Sequence, residues 1–234
     1  MKFTKRIFLI LIACAITTNI CAIQFRHLSI KDGLSQLSVL SIYQDKLGRM
    51  WFGTEEGINV FDGNNLTAIK TLRNIPPRNL EVRWICGDEK GNIYFQLGTS
   101  IVCIDFATQS NTVLVKKGVT TLCHHSGKIY YASRGSVYIY NIAKQSTHCM
   151  GQLTKDHINV LHIDSRGTLW FGTHNGLFYF NKKTRRTTLS IKGAYVEAIF
   201  QDTKGNIWVS SRDKGCYRIS PKGNCTHYYT DEDT

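Results

Sequence analysis

Four aspartates, Asp45, Asp88, Asp164 and Asp202, each stand three residues before a glycine (Gly48, Gly91, Gly167 and Gly205). Three residues after each glycine comes an aromatic: Trp51, Tyr94, Trp170 and Trp208. A fifth glycine, Gly127, keeps the aromatic, Tyr130, but lacks the aspartate. A carboxylate beside an aromatic could serve as a metal ligand or a general acid. Recurrence at one offset points instead to a turn. Asp at the first position of a type I turn bonds its own backbone, and Gly at the fourth supplies a positive φ. The aromatics could stack sugars, but their fixed place in the repeat marks them as packing residues between units.

Other reactive side chains form no constellation. Cys123-His124-His125 and His148-Cys149 carry metal-capable atoms, yet zinc needs three or four converging ligands at suitable spacing. His124 and His125 occupy the worn third turn and are expected to face water. Lys182, Lys183, Arg185 and Arg186 form a basic cluster, read as a solvated turn or a contact for an anionic partner. No G-x-S-x-G elbow, H-E-x-x-H pair or P-loop is present. The expectation is therefore no catalytic residue, no metal and no cofactor. Cys216 and Cys225 flank Ser220-Pro221-Lys222-Gly223. A hairpin folded symmetrically about Ser220 and Pro221 would set these cysteines opposite each other, within disulfide reach of ~5.5 Å between Cα atoms. Free thiols acting as small buried hydrophobes are the other reading.

The first 22 residues read as an export signal: a basic head at Lys2, Lys5 and Arg6, an apolar run over 7–16, and a small residue, Ala22, for cleavage. Ten apolar residues are too few for a bilayer span of ~20. A lipoprotein box at Leu11-Ile12-Ala13-Cys14 and an uncleaved anchor are the alternatives. The formal charge is +12, and removing the three basic residues of the head leaves +9. Such a surface suits an anionic glycan or membrane, or is a solvated basic face. Export, with no DNA-binding motif, speaks against nucleic acid. Six of the eight cysteines lie after the signal, without the spacing of a disulfide framework.

The elements that position these residues follow from the repeat. The five glycines fall at intervals of 43, 36, 40 and 38 residues. Each unit holds short apolar runs bounded by turns, with no 3.6-residue periodicity, and so reads as strands. Four antiparallel strands in about 40 residues, repeated, is the pattern of a β-propeller blade. The expected fold is all-β, with about five four-stranded antiparallel blades at 39–70, 80–115, 119–149, 158–191 and 196–230. Residues 24–30 resemble the outer strand of the fifth unit, 226–233, and are expected to form an orphan closing strand. That implies the front part of a larger, seven-bladed propeller; a closed five-blade ring is the alternative.

The stretch DGLSQLSVLSIYQDKLGRMWFGTEEGINVFDG, Asp32 to Gly63, resembles the two-component regulator propeller repeat. Unit four resembles it closely and unit five in part. Units two and three depart from it, with Gln96-Leu97-Gly98-Thr99 and Ala132-Ser133 in place of the G-T step. The resemblance implies the periplasmic sensor region of a hybrid two-component protein, anchored in the inner membrane, whose kinase domains lie outside this chain. It implies an oligosaccharide ligand, neutral or anionic, contacts with the rest of the receptor, and a homodimer in the full-length protein. It names no binding residue. A secreted propeller enzyme, lyase or hydrolase, and an exported interaction scaffold are the competing readings.

Overall fold

A computed structural model describes residues 25–69, 80–108, 110–182 and 184–229. The export segment, 1–22, lies outside the described residues. Twenty strands form five separate four-stranded sheets. Blade 1 comprises β1 (Val39–Gln44), β2 (Met50–Thr54), β3 (Gly57–Phe61) and β4 (Leu66–Ala68). Blade 2 comprises β5 (Ile85–Gly87), β6 (Ile93–Leu97), β7 (Ser100–Ile104) and β8 (Asn111–Val115). Blade 3 comprises β9 (Thr121–His125), β10 (Lys128–Ser133), β11 (Ser136–Asn141) and β12 (Ser146–Gln152). Blade 4 comprises β13 (Ile158–Ile163), β14 (Leu169–Thr173), β15 (Gly176–Asn181) and β16 (Arg186–Lys192). Blade 5 comprises β17 (Val196–Gln201), β18 (Ile207–Ser211), β19 (Cys216–Ile219) and β20 (Cys225–Tyr228).

Strands within each blade run antiparallel in sequence order. The first strands of successive blades, β1, β5, β9, β13 and β17, lie against one another and form the inner wall of a ring, a β-propeller. The only helical element among the described residues is a 3-10 turn at Ile30–Asp32. Blade 3 extends to Gln152, three residues past the expected limit, because β12 is a full seven-residue strand.

The aspartate turns explain why the aspartate and the aromatic recur together. In blade 4, Asp164 Oδ1 accepts the backbone N–H of Arg166 at 3.0 Å and of Thr168 at 2.8 Å, while Oδ2 accepts Trp170 Nε1–H at 3.0 Å. The same set recurs at Asp45 with Trp51, Asp88 with the Tyr94 hydroxyl, and Asp202 with Trp208. One carboxylate thus closes the hairpin and fixes the ring that faces the next blade. Without the aspartate, the third unit uses a two-residue turn. Ser126 and Gly127 have φ of 48° and 68° between paired His125 and Lys128, which is type I′ geometry.

The glycine of the repeated WFGT phrase has a different cause. A Cβ on Gly172 would stand 2.8 Å from Val160 Cγ1 and closer still to Val196. A Cβ on Gly53 would stand 2.7 Å from Val82 Cγ1. The second strand is bare at this point so that the following blade's first strand can approach.

Internal blade interfaces bury this framework, with Tyr94, Trp51 and Trp170 all under one-tenth exposed. The outermost faces of blades 1 and 5 differ. Leu161 is 4% exposed, whereas its counterpart in blade 1, Ile42, is 61% exposed. Phe200 on β17 is 63% exposed, and Trp208, expected to be an inter-blade packing residue, is only partly buried. The ring shows no blade against that side of Trp208 among the described residues.

Two expectations are corrected. Residues 25–29 form no strand, so the orphan closing strand expected at 24–30 is absent among the described residues. The segment instead feeds the 3-10 turn, where the Ser29 hydroxyl and N–H both donate to Asp32. Unit four opens at Ile158, which pairs with Thr173 as Val39 pairs with Thr54. The cysteine pair is out of register: Cys216 lies opposite Tyr228 and Cys225 opposite Ile219. The turn spans Ser220 to Asn224, closed by Ser220 N–H to Asn224 O at 2.8 Å, which moves the pairing by three residues. An odd offset places the two side chains on opposite faces of the sheet, and both thiols are free. Intact mass after alkylation without reductant is expected to show every cysteine between residues 86 and 225 labelled once the chain is unfolded. A pair at 216 and 225 that resists labelling would contradict this register.

Candidate functional site

The repeat framework is fixed, so a site must lie where the repeats differ. The residue six before each turn aspartate is Val39, Val82, Ile158 or Val196, and Val119 takes this place in blade 3. All five are β-branched and apolar. The next residue is Leu40, Arg83, Thr120, Asn159 or Glu197. One position thus carries an apolar, a cationic, a hydroxyl, an amide and a carboxylate side chain in one molecule.

A break in the ladder aims four of these residues, all but Arg83, inward. The β1–β2, β13–β14 and β17–β18 ladders each skip one residue, between Val39 and Ser41, Ile158 and Val160, and Val196 and Ala198. The skipped residues are Leu40, Asn159 and Glu197. In blade 3, the Thr120 N–H bonds Ala132 O, while Thr121 also pairs with Ala132. A bulge leaves one residue unpaired and re-aims its side chain. All five residues line a single axial cavity of about 640 Å³ at the mouth of the ring. That volume lies within the ~300–1,000 Å³ usual for small-molecule sites.

The cavity's polar groups are held in place from behind. Arg212, in the β18–β19 loop, donates through Nε and Nη2 to Glu197 Oε1 at 2.7 and 2.6 Å. Its guanidinium lies over the Tyr195 ring, 4.4 Å from the centroid. Glu197 holds the Arg212 guanidinium in its charged form, with a pKa above the ordinary value. Arg83 pairs with Glu81 at 2.5 Å. Asn159 donates to Val196 O at 3.1 Å and bonds His157 Nδ1 at 3.0 Å through Oδ1. Since Oδ1 can only accept, His157 Nδ1 carries a proton in this bond. Trp84 reaches from blade 2 across the axis to the core of blades 4 and 5, lining the cavity with a partly exposed indole.

The residues singled out from sequence lie elsewhere. Asp45, Asp88, Asp164 and Asp202, with Gly48, Gly91, Gly127, Gly167 and Gly205 and the five aromatics, build the turns and blade interfaces. The Asp202 pKa is lowered to about 2, first by the Asn206 amide and then by Trp208. Burial pushes Asp45 up, but hydrogen bonds from Trp51 and Arg49 outweigh it and hold its pKa below the ordinary value. All four carboxylates serve as hydrogen-bond acceptors within their own hairpins. Of the basic cluster, Lys182 and Arg186 belong to the β15–β16 hairpin, Arg185 takes φ of 54° in its turn, and Lys183 lies outside the described residues. The cluster is remote from the cavity lining.

His124 is a further correction: its side chain is 8% exposed and stacks on Tyr94 rather than facing water. The two-residue turn carries β9 straight into the blade 2 interface. His124 Nε2 and His162 Nε2 are both buried without a hydrogen-bond partner. Burial depresses both pKa values below 6.5; Glu89, 3.9 Å from His124, pulls the other way and is outweighed. Burial also raises the Cys123 thiol to about 12, so it stays protonated. No group of three or more metal-capable side chains converges among the described residues.

The pH consequence has a definite sign. With folded pKa values below 6.5, the unfolded chain binds more protons just below that pH, so stability falls as pH drops through this window. Melting temperature is expected to decrease between pH 7 and pH 5, and the decrease should shrink in the double variant His124→Phe, His162→Phe. An unchanged slope in that variant would contradict the assignment.

Three segments, residues 33–56, 152–175 and 190–213, match the family described as Two component regulator propeller. They fall in and around blades 1, 4 and 5, in each of which the ladder between the first two strands carries the bulge. A 52-residue stretch is 48% identical to "Histidine kinase P4" of Formosa agariphila, covering 22% of this chain and 4% of that protein. The fold is similar to the extracellular domain of the hybrid two component system BT4673 from B. thetaiotaomicron (TM-score 0.71, 14% identity, covering 87% of this chain and 28% of that one). It is also similar to virginiamycin B lyase from Staphylococcus aureus (TM-score 0.68, 12% identity, covering 83% of this chain and 70% of that one). The chain therefore spans a small part of the two-component proteins it matches. No helix among the described residues is long and apolar enough to cross a membrane.

Proposed function

We propose that this chain is the extracytoplasmic sensor portion of a two-component receptor, without catalytic activity of its own, and that it detects an oligosaccharide. The observation that carries the reading is the match of three repeats to the two-component regulator propeller family. The export-type N-terminus supports a periplasmic position, and signalling output would come from kinase domains elsewhere in the receptor. The turn carboxylates support a non-catalytic role, because each accepts backbone N–H groups and the ring donor of its own hairpin. In cells carrying the receptor that contains this segment, in-frame deletion of residues 25–229 is expected to abolish glycan-dependent transcription. Receptor abundance, followed by immunoblot, should be unchanged. Undiminished induction after the deletion would overturn the reading.

A further inference from the structure

At the position after the apolar β-branched residue, the five blades present five different side chains to one axial cavity. Turn and interface positions repeat because packing and turn geometry constrain them, whereas this position varies, with Thr120 and Asn159 also bonding the backbone of the next blade. We propose that this cavity is the ligand site and that it takes an uncharged saccharide, not an acidic one. The proposal deepens the sensor reading and rests on it for the identity of the ligand as a sugar.

The charge balance decides the class. The chain as a whole is strongly basic, which by itself favours anions. At the cavity the balance is different. Arg83 is paired with Glu81, and Arg212 with Glu197, so two cations meet two carboxylates. An acidic sugar binding either arginine would bring its carboxylate or sulfate against a carboxylate already bonded to the same guanidinium. That juxtaposition costs more as the site desolvates. An uncharged polyol meets no such penalty.

The free valences suit hydroxyl groups. Glu197 Oε1 takes both bonds from Arg212, leaving Oε2 and Arg212 Nη1 without a protein partner among the described residues. The pair therefore offers an acceptor beside a donor, the complement of two adjacent hydroxyls, each of which donates and accepts. His157 adds a polar ring edge to the lining. Thr120 Oγ1 donates to Ile158 O at 3.0 Å and keeps lone pairs to accept with. Trp84 and Leu40 supply apolar surface for the C–H face of a sugar ring. The arginine is pre-set by its stack on Tyr195 and by Tyr195 N–H bonding Asp213 Oδ1 at 2.9 Å, so little rotamer entropy is lost on binding.

The test is isothermal titration of the purified chain with two probe sets. The neutral set is cello-, xylo-, manno-, malto- and laminari-hexaose. The acidic set is tetragalacturonate and the tetrasaccharides of chondroitin sulfate and heparin. At least one neutral hexaose is expected to bind, with a Kd changing less than twofold between 50 and 500 mM NaCl. Glu197→Gln and, independently, Arg83→Ala should each weaken binding at least tenfold while leaving the ligand-free melting curve in place; two variants on different blades guard against loss of fold in either one. Binding of an acidic probe with steep salt dependence would overturn the neutral assignment and leave the sensor reading standing. Neutral binding that both variants leave intact would overturn the cavity as the site and likewise leave the sensor reading standing. No binding in either set would overturn the proposal, while the deletion experiment judges the sensor reading separately.

Discussion

Asp164→Ala is expected to destabilise the chain by about 4 kcal/mol, since bonds to a charged acceptor contribute ~1.5–3 kcal/mol each and the donors left behind stay desolvated. Asp164 is fully buried, and its loss orphans the N–H groups of Arg166 and Thr168 and the indole N–H of Trp170. For a chain of this size that corresponds to a fall in melting temperature of roughly 10 °C. Thermal circular dichroism measures it directly. Asp202→Ala offers the internal control. It accepts the same two backbone bonds and ring bond, with the Asn206 side-chain amide added, but its ring, Trp208, is only partly buried and the donors it would orphan stay near water, so the loss should be distinctly smaller. Equal losses at the two positions would contradict the view that the carboxylate matters through the interface ring it fixes. Three of the turn aspartates, Asp45, Asp88 and Asp202, have depressed pKa values. Their stabilisation is present above the ordinary carboxylate range and is lost as pH falls through their folded values, about 2 for Asp202.

Gly172→Val should cost about 3 kcal/mol, at the upper end of the ~1–3 kcal/mol of core overpacking. The added side chain would point into Val160 and Val196, both buried, and force β13 and β17 off β14. Gly57→Ala makes a useful contrast. Nothing lies within 4 Å of its Cβ position, so only the backbone strain of φ 123° is felt. Denaturant unfolding should rank Gly172→Val well below Gly57→Ala in midpoint. The reverse order would mean that the WFGT glycine serves its own strand and not the neighbouring blade.

The blades were legible in the sequence because the turn chemistry is local. An aspartate, a glycine and an aromatic at fixed offsets specify a hairpin without reference to the rest of the chain. The cavity was not legible, although its signal is present. Reading the residues of the bulge as a set requires knowing that Leu40, Asn159 and Glu197 drop out of their ladders. The turn aspartates looked like candidates for chemistry, whereas the bulge residues, each unremarkable alone, are the ones that meet. Cys216 and Cys225 failed for a related reason: a five-residue turn and a symmetric two-residue turn predict different partners, and the Pro-Lys-Gly composition is compatible with both. His124 was misplaced because a shortened turn alters where β9 ends and what its side chains face. In each case the missing information was register, which depends on one residue more or less in a loop.

The proposed role requires that the chain bind a saccharide and do no chemistry on it. Incubating the purified chain with polysaccharides, sialosides and nucleotides, and following reducing ends, unsaturated products and free phosphate over hours, tests this directly. No release above the buffer control is expected from any substrate, including the saccharide that binds most tightly by titration. Steady product formation, abolished by a single substitution at the cavity such as Glu197→Gln, would contradict it and make this propeller an enzyme.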